Sequence, residues 1–198
     1  CIISEGKTEK LSKKLVVIVS CMLLFHLILP FTSSAKSIHL ADVEPTYWAL
    51  SSIDEMVSNG YMHTFDGGTF KPHQKSTRAE VAEMIVNVLQ LPLDATIQLK
   101  ATDVQATHPQ YEVFRKLIEL HIFDNRERLQ PEKLVTRSQM AKIIAQAFHI
   151  VVDEKNEAAF IDTQHNCWAK HYIESLADVG VITGKSNGTY GPYEHVTR

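Results

Sequence analysis

One phrase is written three times in this chain: a Pro, four further residues, then Thr-Arg. It reads "PHQKSTR" from Pro72, "PEKLVTR" from Pro131 and "PYEHVTR" from Pro192. An Asp travels with it, as Asp42, Asp103 and Asp162, at spacings of 61 and 59 residues. The Thr recurs as Thr77, Thr136 and Thr197, at spacings of 59 and 61. Self-similarity at a fixed period means that each unit is one supersecondary element. Three copies of a unit of about 60 residues therefore follow one another.

Within each unit the apolar residues follow helical spacing. Copy one has Ile53, Met56 and Val57, copy two Phe114, Leu117 and Ile118, and copy three Ile173, Leu176 and Ala177. The i, i+3, i+4 spacing predicts one buried helix face. Gly60 and Gly180 then stand where a helix ends on a left-handed residue, and His121 takes that place in copy two. Turns follow as "FDGGTFKP" and "KSNGTYGP", whereas copy two has the shorter "NRERLQP", without glycine. A second helix opens at each Thr-Arg, with Val81, Met84, Ile85, Val88 and Leu89 on its stripe in copy one. Met140, Ile143, Ile144, Ala147 and Phe148 repeat that stripe in copy two. The fold class is therefore all-α, as three tandem helix-loop-helix units.

The Thr has a local explanation. Thr77 with Glu80, and Thr136 with Gln139, are capping boxes, each contributing about 1 kcal/mol to its helix. The Arg does not. A cation at the first helical position opposes the helix dipole by about 0.3–1 kcal/mol. The sequence therefore predicts an anionic partner for Arg78 and Arg137. Two candidates stand: an internal carboxylate among Asp42, Asp103 and Asp162, or an external anion shared by the guanidinium fork and the free amides of the helix start.

Residues 1–35 differ from the rest. Four lysines precede the apolar run "LVVIVSCMLLFHLILPF" and then "TSSA", which is the layout of a secretory signal peptide. The alternative is an uncleaved membrane anchor, since the run approaches spanning length; "IVSC" also fits a lipoprotein box. Each reading places the remainder outside the cytoplasm. Beyond the leader Cys167 stands alone, so no internal disulfide forms there. With the leader's four Lys and two Glu set aside, 16 basic and 21 acidic residues remain, a net charge of about −5 that disfavours nucleic acid. The histidines are scattered, and no H-E-x-x-H, zinc-spaced Cys pair, G-x-S-x-G or phosphate loop occurs. No metal, cofactor or catalytic residue is expected.

Copy one reads "LADVEPTYWA", "NGYM", "GGTFKP" and "STRAE"; copy three reads "FIDTQHNCWA", "VGVITG", "NGTYGP" and "VTR". In this order, and three times over, these motifs resemble the S-layer homology (SLH) family. Copy two departs from the pattern, with Pro109 in place of Trp48 and Trp168 and Thr-Arg-Ser-Gln for Thr-Arg-Ala-Glu. The resemblance implies repeats at residues 38–91, 101–150 (degenerate) and 160–198 (truncated), in a pseudo-threefold arrangement behind the leader. It also implies a secreted, cell-surface module that anchors proteins by binding secondary cell-wall polysaccharide, often pyruvylated, attached to peptidoglycan. The membrane would be touched only through an uncleaved leader. By the family's pattern Arg78 is a ligand residue, and Arg137 and Arg198 match its Thr-Arg part. Asp42, Trp48, Asp162 and Trp168 match the conserved Asp and Trp, and Gly68 and Gly188 the turn glycine. The residues alone leave Trp48 and Trp168 open between a sugar platform and a helix-start core residue. Copy two is expected to be the weakest site. The repeat also predicts that a second helix of copy three follows Arg198. The alternatives are the anchor part of a longer exoenzyme, such as a wall hydrolase, and a surface-lattice subunit.

Overall fold

The computed structural model describes residues 40–153, 155 and 160–198; the leader assigned to residues 1–35 lies outside the described residues. Among the described residues five α-helices follow one another: α1 Leu50–Ser58, α2 Arg78–Val88, α3 Tyr111–Glu119, α4 Arg137–Ala147 and α5 Lys170–Asp178. Among the described residues strand pairing is limited to isolated bridges, and no helix is long and apolar enough to cross a membrane.

The helix ends follow the local chemistry. Thr77 Oγ1 accepts from the Glu80 amide at 3.2 Å while the Glu80 carboxylate accepts from the Thr77 amide at 2.7 Å. Thr136 and Gln139 do the same at 3.3 and 3.1 Å. The first helices of the three repeats end on left-handed residues: Gly60 at φ 72°, His121 at φ 59° and Gly180 at φ 77°. The next amides turn back into the helix, Tyr61 onto Met56 O, Ile122 onto Leu117 O and Val181 onto Leu176 O. His121 thus adopts the glycine's conformation, although a side chain makes it costly there.

The second helix of each repeat packs on the first helix of the next: α2 on α3 and α4 on α5. The largest core joins Val81, Ala82, Ile85 and Val86 of α2 to Val113, Phe114, Leu117 and Ile118 of α3 and to Ile143 and Ala147 of α4. A second core joins Ala141 and Ala145 of α4 to Ile173 and Leu176 of α5. A third, small core holds Leu40, Val43, Ile53 and Phe70 around α1. Helix α4 therefore buries two faces. Its alanines form the second, where a small side chain lets helices approach closely, and a single predicted stripe could not show it.

Backbone bonds tie the repeats in a ring. The Ser76 amide donates to Val196 O, the Val196 amide to Val135 O, and the Val135 amide to Ser76 O, each at 3.0 Å. Isolated bridges accompany them between Lys75 and Thr197, Thr77 and Leu134, and Thr136 and His195. The segment before each Thr-Arg is thus where the three repeats meet.

Candidate functional site

The repeated Asp and the repeated Arg grip one turn from opposite sides. Asp42 accepts from the amides of Phe70 and Lys71 at 2.7 and 2.6 Å. Asp103 accepts from Leu129 and Gln130, both at 2.9 Å, and Asp162 from Tyr190 and Gly191, both at 2.8 Å. Desolvation alone would raise these carboxyl pKa values, but the paired amide donors overcome it and hold all three below the usual carboxylate range. The arginines take the carbonyls of the same residues, one repeat on. Arg78 Nε donates to Leu129 O at 2.7 Å, Arg137 Nε to Tyr190 O at 2.9 Å, and Arg198 Nε to Phe70 O at 3.0 Å.

This corrects the internal carboxylate as the partner of Arg78 and Arg137, and the part of the external-anion reading that needs free helix-start amides. No carboxylate among Asp42, Asp103 and Asp162 pairs with them directly, because each spends its oxygens on its own turn. Nor are the helix-start amides free for an anion. The Arg78 and Ala79 amides donate to Lys133 O and Pro131 O at 2.9 Å, and the Arg137 and Ser138 amides to Glu194 O and Pro192 O at 2.8 and 3.0 Å. Carbonyl oxygens of the next repeat gather at each helix start and supply the negative potential the cation needs. Aromatic faces add to it. The Arg78 guanidinium lies 5.0 Å from the Phe123 ring, Arg137 4.3 Å from Tyr190, and Arg198 4.9 Å from Phe70.

The arginines differ in what remains of the fork. Among the described residues the terminal nitrogens of Arg78 and Arg137 have no hydrogen-bond partner. Arg198 is fully engaged: its Nη2 donates to His63 O at 2.5 Å, its Nη1 stands 3.7 Å from Glu80, and its side chain is only 7% exposed. Burial, then the nearby charge of Arg126, pulls the Arg78 pKa below the usual guanidinium value; the group remains a cation at neutral pH.

Arg78 opens into a cleft of about 390 Å³, lined also by Phe123, Asp124, Arg126, Lys142 and Trp168. The cleft is composite: repeat one supplies Arg78, repeat two the floor, and repeat three Trp168. Trp168 is 53% exposed and Trp48 86% exposed, so neither is a core residue. A second cleft of about 150 Å³ carries Arg198 over Tyr61–Phe65 and α2. Asp162 borders a shallow depression with Gly191 and Tyr193. The remaining predicted site residues, Asp42, Trp48, Gly68, Arg137 and Gly188, line none of these three. Gly68 and Gly188 have φ of 71° and 78°, and a Cβ at Gly188 would stand 3.2 Å from the Ile161 side chain. Backbone conformation thus accounts for both glycines.

The position of the Trp missing from copy two is not part of the cleft floored by that copy, which is lined by Trp168 of repeat three and Arg78 of repeat one. Sequence reasoning also missed Arg126, Lys142 and Phe123, and it left Asp103 out of the site although Asp103 holds its turn as Asp42 and Asp162 do. A Lys at position 142 against Glu at 83 is visible on aligning the copies; which Arg it faces is not. Among the described residues no group of three His, Cys, Asp or Glu side chains gathers to hold a metal ion.

The family model for the S-layer homology domain matches residues 40–82, 102–141 and 162–198, more than half of the chain. The chain belongs to the S-layer homology domain family. Domains of this family mediate anchoring at the cell surface. The chain is 25% identical over 197 residues to an S-layer protein of Bacillus thuringiensis subsp. finitimus, covering 98% of this chain and 24% of that protein. It is 31% identical over 157 residues to the surface-layer 125 kDa protein of Lysinibacillus sphaericus, covering 76% and 13%. It is also 25% identical over 149 residues to a cellulosome-anchoring protein of Acetivibrio thermocellus, covering 70% and 33%. The chain thus spans a third or less of the length of each of these relatives.

Proposed function

We propose that this chain is a secreted, non-covalent anchor that binds secondary cell-wall polysaccharide at the bacterial surface, with Arg78 and Trp168 touching the sugar. The carrying observation is their convergence in one cleft. The unpartnered end of the Arg78 fork suits a carboxylate such as a pyruvate ketal, and the exposed indole of Trp168 suits the apolar face of a sugar ring. In this reading residues 38–91, 101–150 and 160–198 are three SLH repeats, and the leader directs export. The ring of backbone bonds at Ser76, Val135 and Val196 supports a pseudo-threefold arrangement. Asp42 and Asp162 serve the site by fixing the turns, and the repeats themselves carry out no catalytic step.

A second reading keeps the same chemistry and changes the cargo: the repeats are the anchor of a longer exoenzyme or a lattice subunit. Both kinds of protein occur among the relatives, which include an amylopullulanase of Thermoanaerobacterium thermosulfurigenes as well as the surface-layer proteins. The test is a pull-down of the full-length protein on purified cell-wall sacculi, with and without extraction of polysaccharide. Wild type binds intact sacculi only, and Arg78→Ala loses binding while its circular dichroism is unchanged. Equal binding by folded Arg78→Ala would refute the role given to Arg78.

A further inference from the structure

The two arginine clefts are built from equivalent positions but carry opposite charge. Around Arg78 stand Arg126 and Lys142, with Asp124 as the one carboxylate. Asp124 is already shared, accepting from Arg126 at 2.6 Å and from Lys142 at 3.3 Å. Three cations and one anion leave this cleft positive. Around Arg198 stand Glu80 and Glu83, which occupy the positions of Gln139 and Lys142. Glu80 faces Arg198 at 3.7 Å, and Glu83 faces His63 at 3.8 Å. Among the Lys, Arg, Asp and Glu side chains that line it, one cation meets two carboxylates. The fork differs too: Arg78 has unpartnered terminal nitrogens among the described residues, and Arg198 has its nitrogens committed. The Arg198 cleft is also less than half the volume, and no tryptophan lines it.

We propose that anionic saccharide is taken by the cleft of repeat two alone, that Arg126 and Lys142 select for its negative charge, and that Glu80 and Glu83 exclude it from the cleft of repeat one. This rests on the polysaccharide-binding reading and adds which cleft works and what it discriminates. The physical reason is that in a partly desolvated cleft a like charge costs more than a lost contact. Arg126 is 69% exposed at its side chain and Lys142 24%, so both reach a ligand without unpacking the core. The shared chemistry is a fixed negative charge on a sugar, and a ketal carboxylate, a uronate and a phosphate are its three sources.

The experiment titrates full-length protein with a pyruvate-ketal methyl glycoside, a methyl glucuronide and a hexose phosphate. The methyl ester of the ketal is the neutral control, and amide and indole resonances are followed. At least one anionic probe is expected to shift the Trp168 indole and the amides of residues 122–126 while residues 61–65 stay still. The probe that binds identifies the source of charge, and the ester does not bind. Lys142→Glu weakens that probe at least tenfold, and Arg126→Gln weakens it severalfold. Arg126→Gln keeps the test decisive if Lys142→Glu folds poorly. Comparable shifts at residues 61–65, or unchanged affinity in both cation variants, overturn the proposal. Wild type that binds sacculi but none of the anionic probes also overturns it, and leaves the anchoring reading standing. Wild type that binds no sacculi removes both.

Discussion

Repeat one and repeat two invert what their sequences suggest. Repeat one carries nearly every motif of the family, yet its α2 is buried in the core it shares with repeat two and not in the cluster around its own α1. Repeat two has lost the Trp and the glycine turn, yet its α3 and α4 sit in the largest core and its turn floors the larger cleft. The motif residues of a repeat are lent to its neighbours. Arg78 works on the turn of repeat two, and Trp168 lines the cleft of repeat two. A repeat that has lost its own motif can therefore still border a cleft that holds both an Arg and a Trp, provided the adjoining repeats keep theirs.

The most forceful way to break this comparison is to remove matched core residues. Leu117 is fully buried within the large core, and Ile53 belongs to the small one. Leu117→Ala is expected to cost about 3–5 kcal/mol and Ile53→Ala about 2 kcal/mol in denaturant unfolding. Equal costs would mean that the small core is as tightly coupled to the rest as the large one.

Next in size is the loan of tryptophan. Trp168→Ala is expected to weaken binding to intact sacculi about tenfold, equivalent to about 1.4 kcal/mol. Trp48→Ala, at a side chain that is 86% exposed, is expected to change unfolding free energy by no more than about 0.5 kcal/mol. Sedimentation with sacculi measures the first, and thermal unfolding the second. A folded Trp168→Ala that binds as wild type would detach the indole from the site.

A smaller effect sharpens the meaning of degeneracy in repeat two. His121 holds φ 59° where the other repeats place glycine. His121→Gly is expected to stabilise the protein by up to about 1 kcal/mol by relieving the left-handed conformation, read as a higher melting temperature. Destabilisation would show that the His121 side chain makes up for its strain.

The last prediction concerns acid only. Asp42 and Asp103 are both held below the usual carboxylate range by paired amides. A lowered folded-state pKa stabilises the fold above the unfolded value, about 3.9 for Asp, and that stability is lost as pH falls through the folded value. Stability is therefore expected to be flat with respect to these groups above about pH 5 and to fall below about pH 4. Carboxyl-detected titration of both residues checks this: each must ionise below the ordinary aspartate value of about 3.9. Ionisation of either at or above that level would show that its turn is not fixed as described.

Much of this was legible locally. The capping boxes at Thr77 and Thr136, the left-handed ends at Gly60, His121 and Gly180, and the apolar stripe at Phe114, Leu117 and Ile118 all depend on residues within one or two turns of each other. The second buried face of α4, at Ala141 and Ala145, was not legible, because alanine suits an exposed helix surface as well as a close packing face. Arg78 was recognised as anomalous on correct grounds, but its carbonyl partner lies 51 residues away on another repeat. Local reasoning looked for a carboxylate because the only electrostatics it can see are side-chain charges and the dipole of the Arg's own helix.

By itself the sequence determined the period, the number of units, where each first helix stops and each second helix starts, and the family. These follow from short-range geometry, which spacing records directly. The tertiary structure alone decided which copy's Arg meets which copy's turn, that Trp168 lines the same cleft as Arg126 and Lys142, and that the clefts differ in sign. Those pairings come from closing the repeats into a ring, where each unit's free groups are satisfied by the next. Aligning the copies on one another hides that relation, since it compares equivalent positions and not the positions that touch.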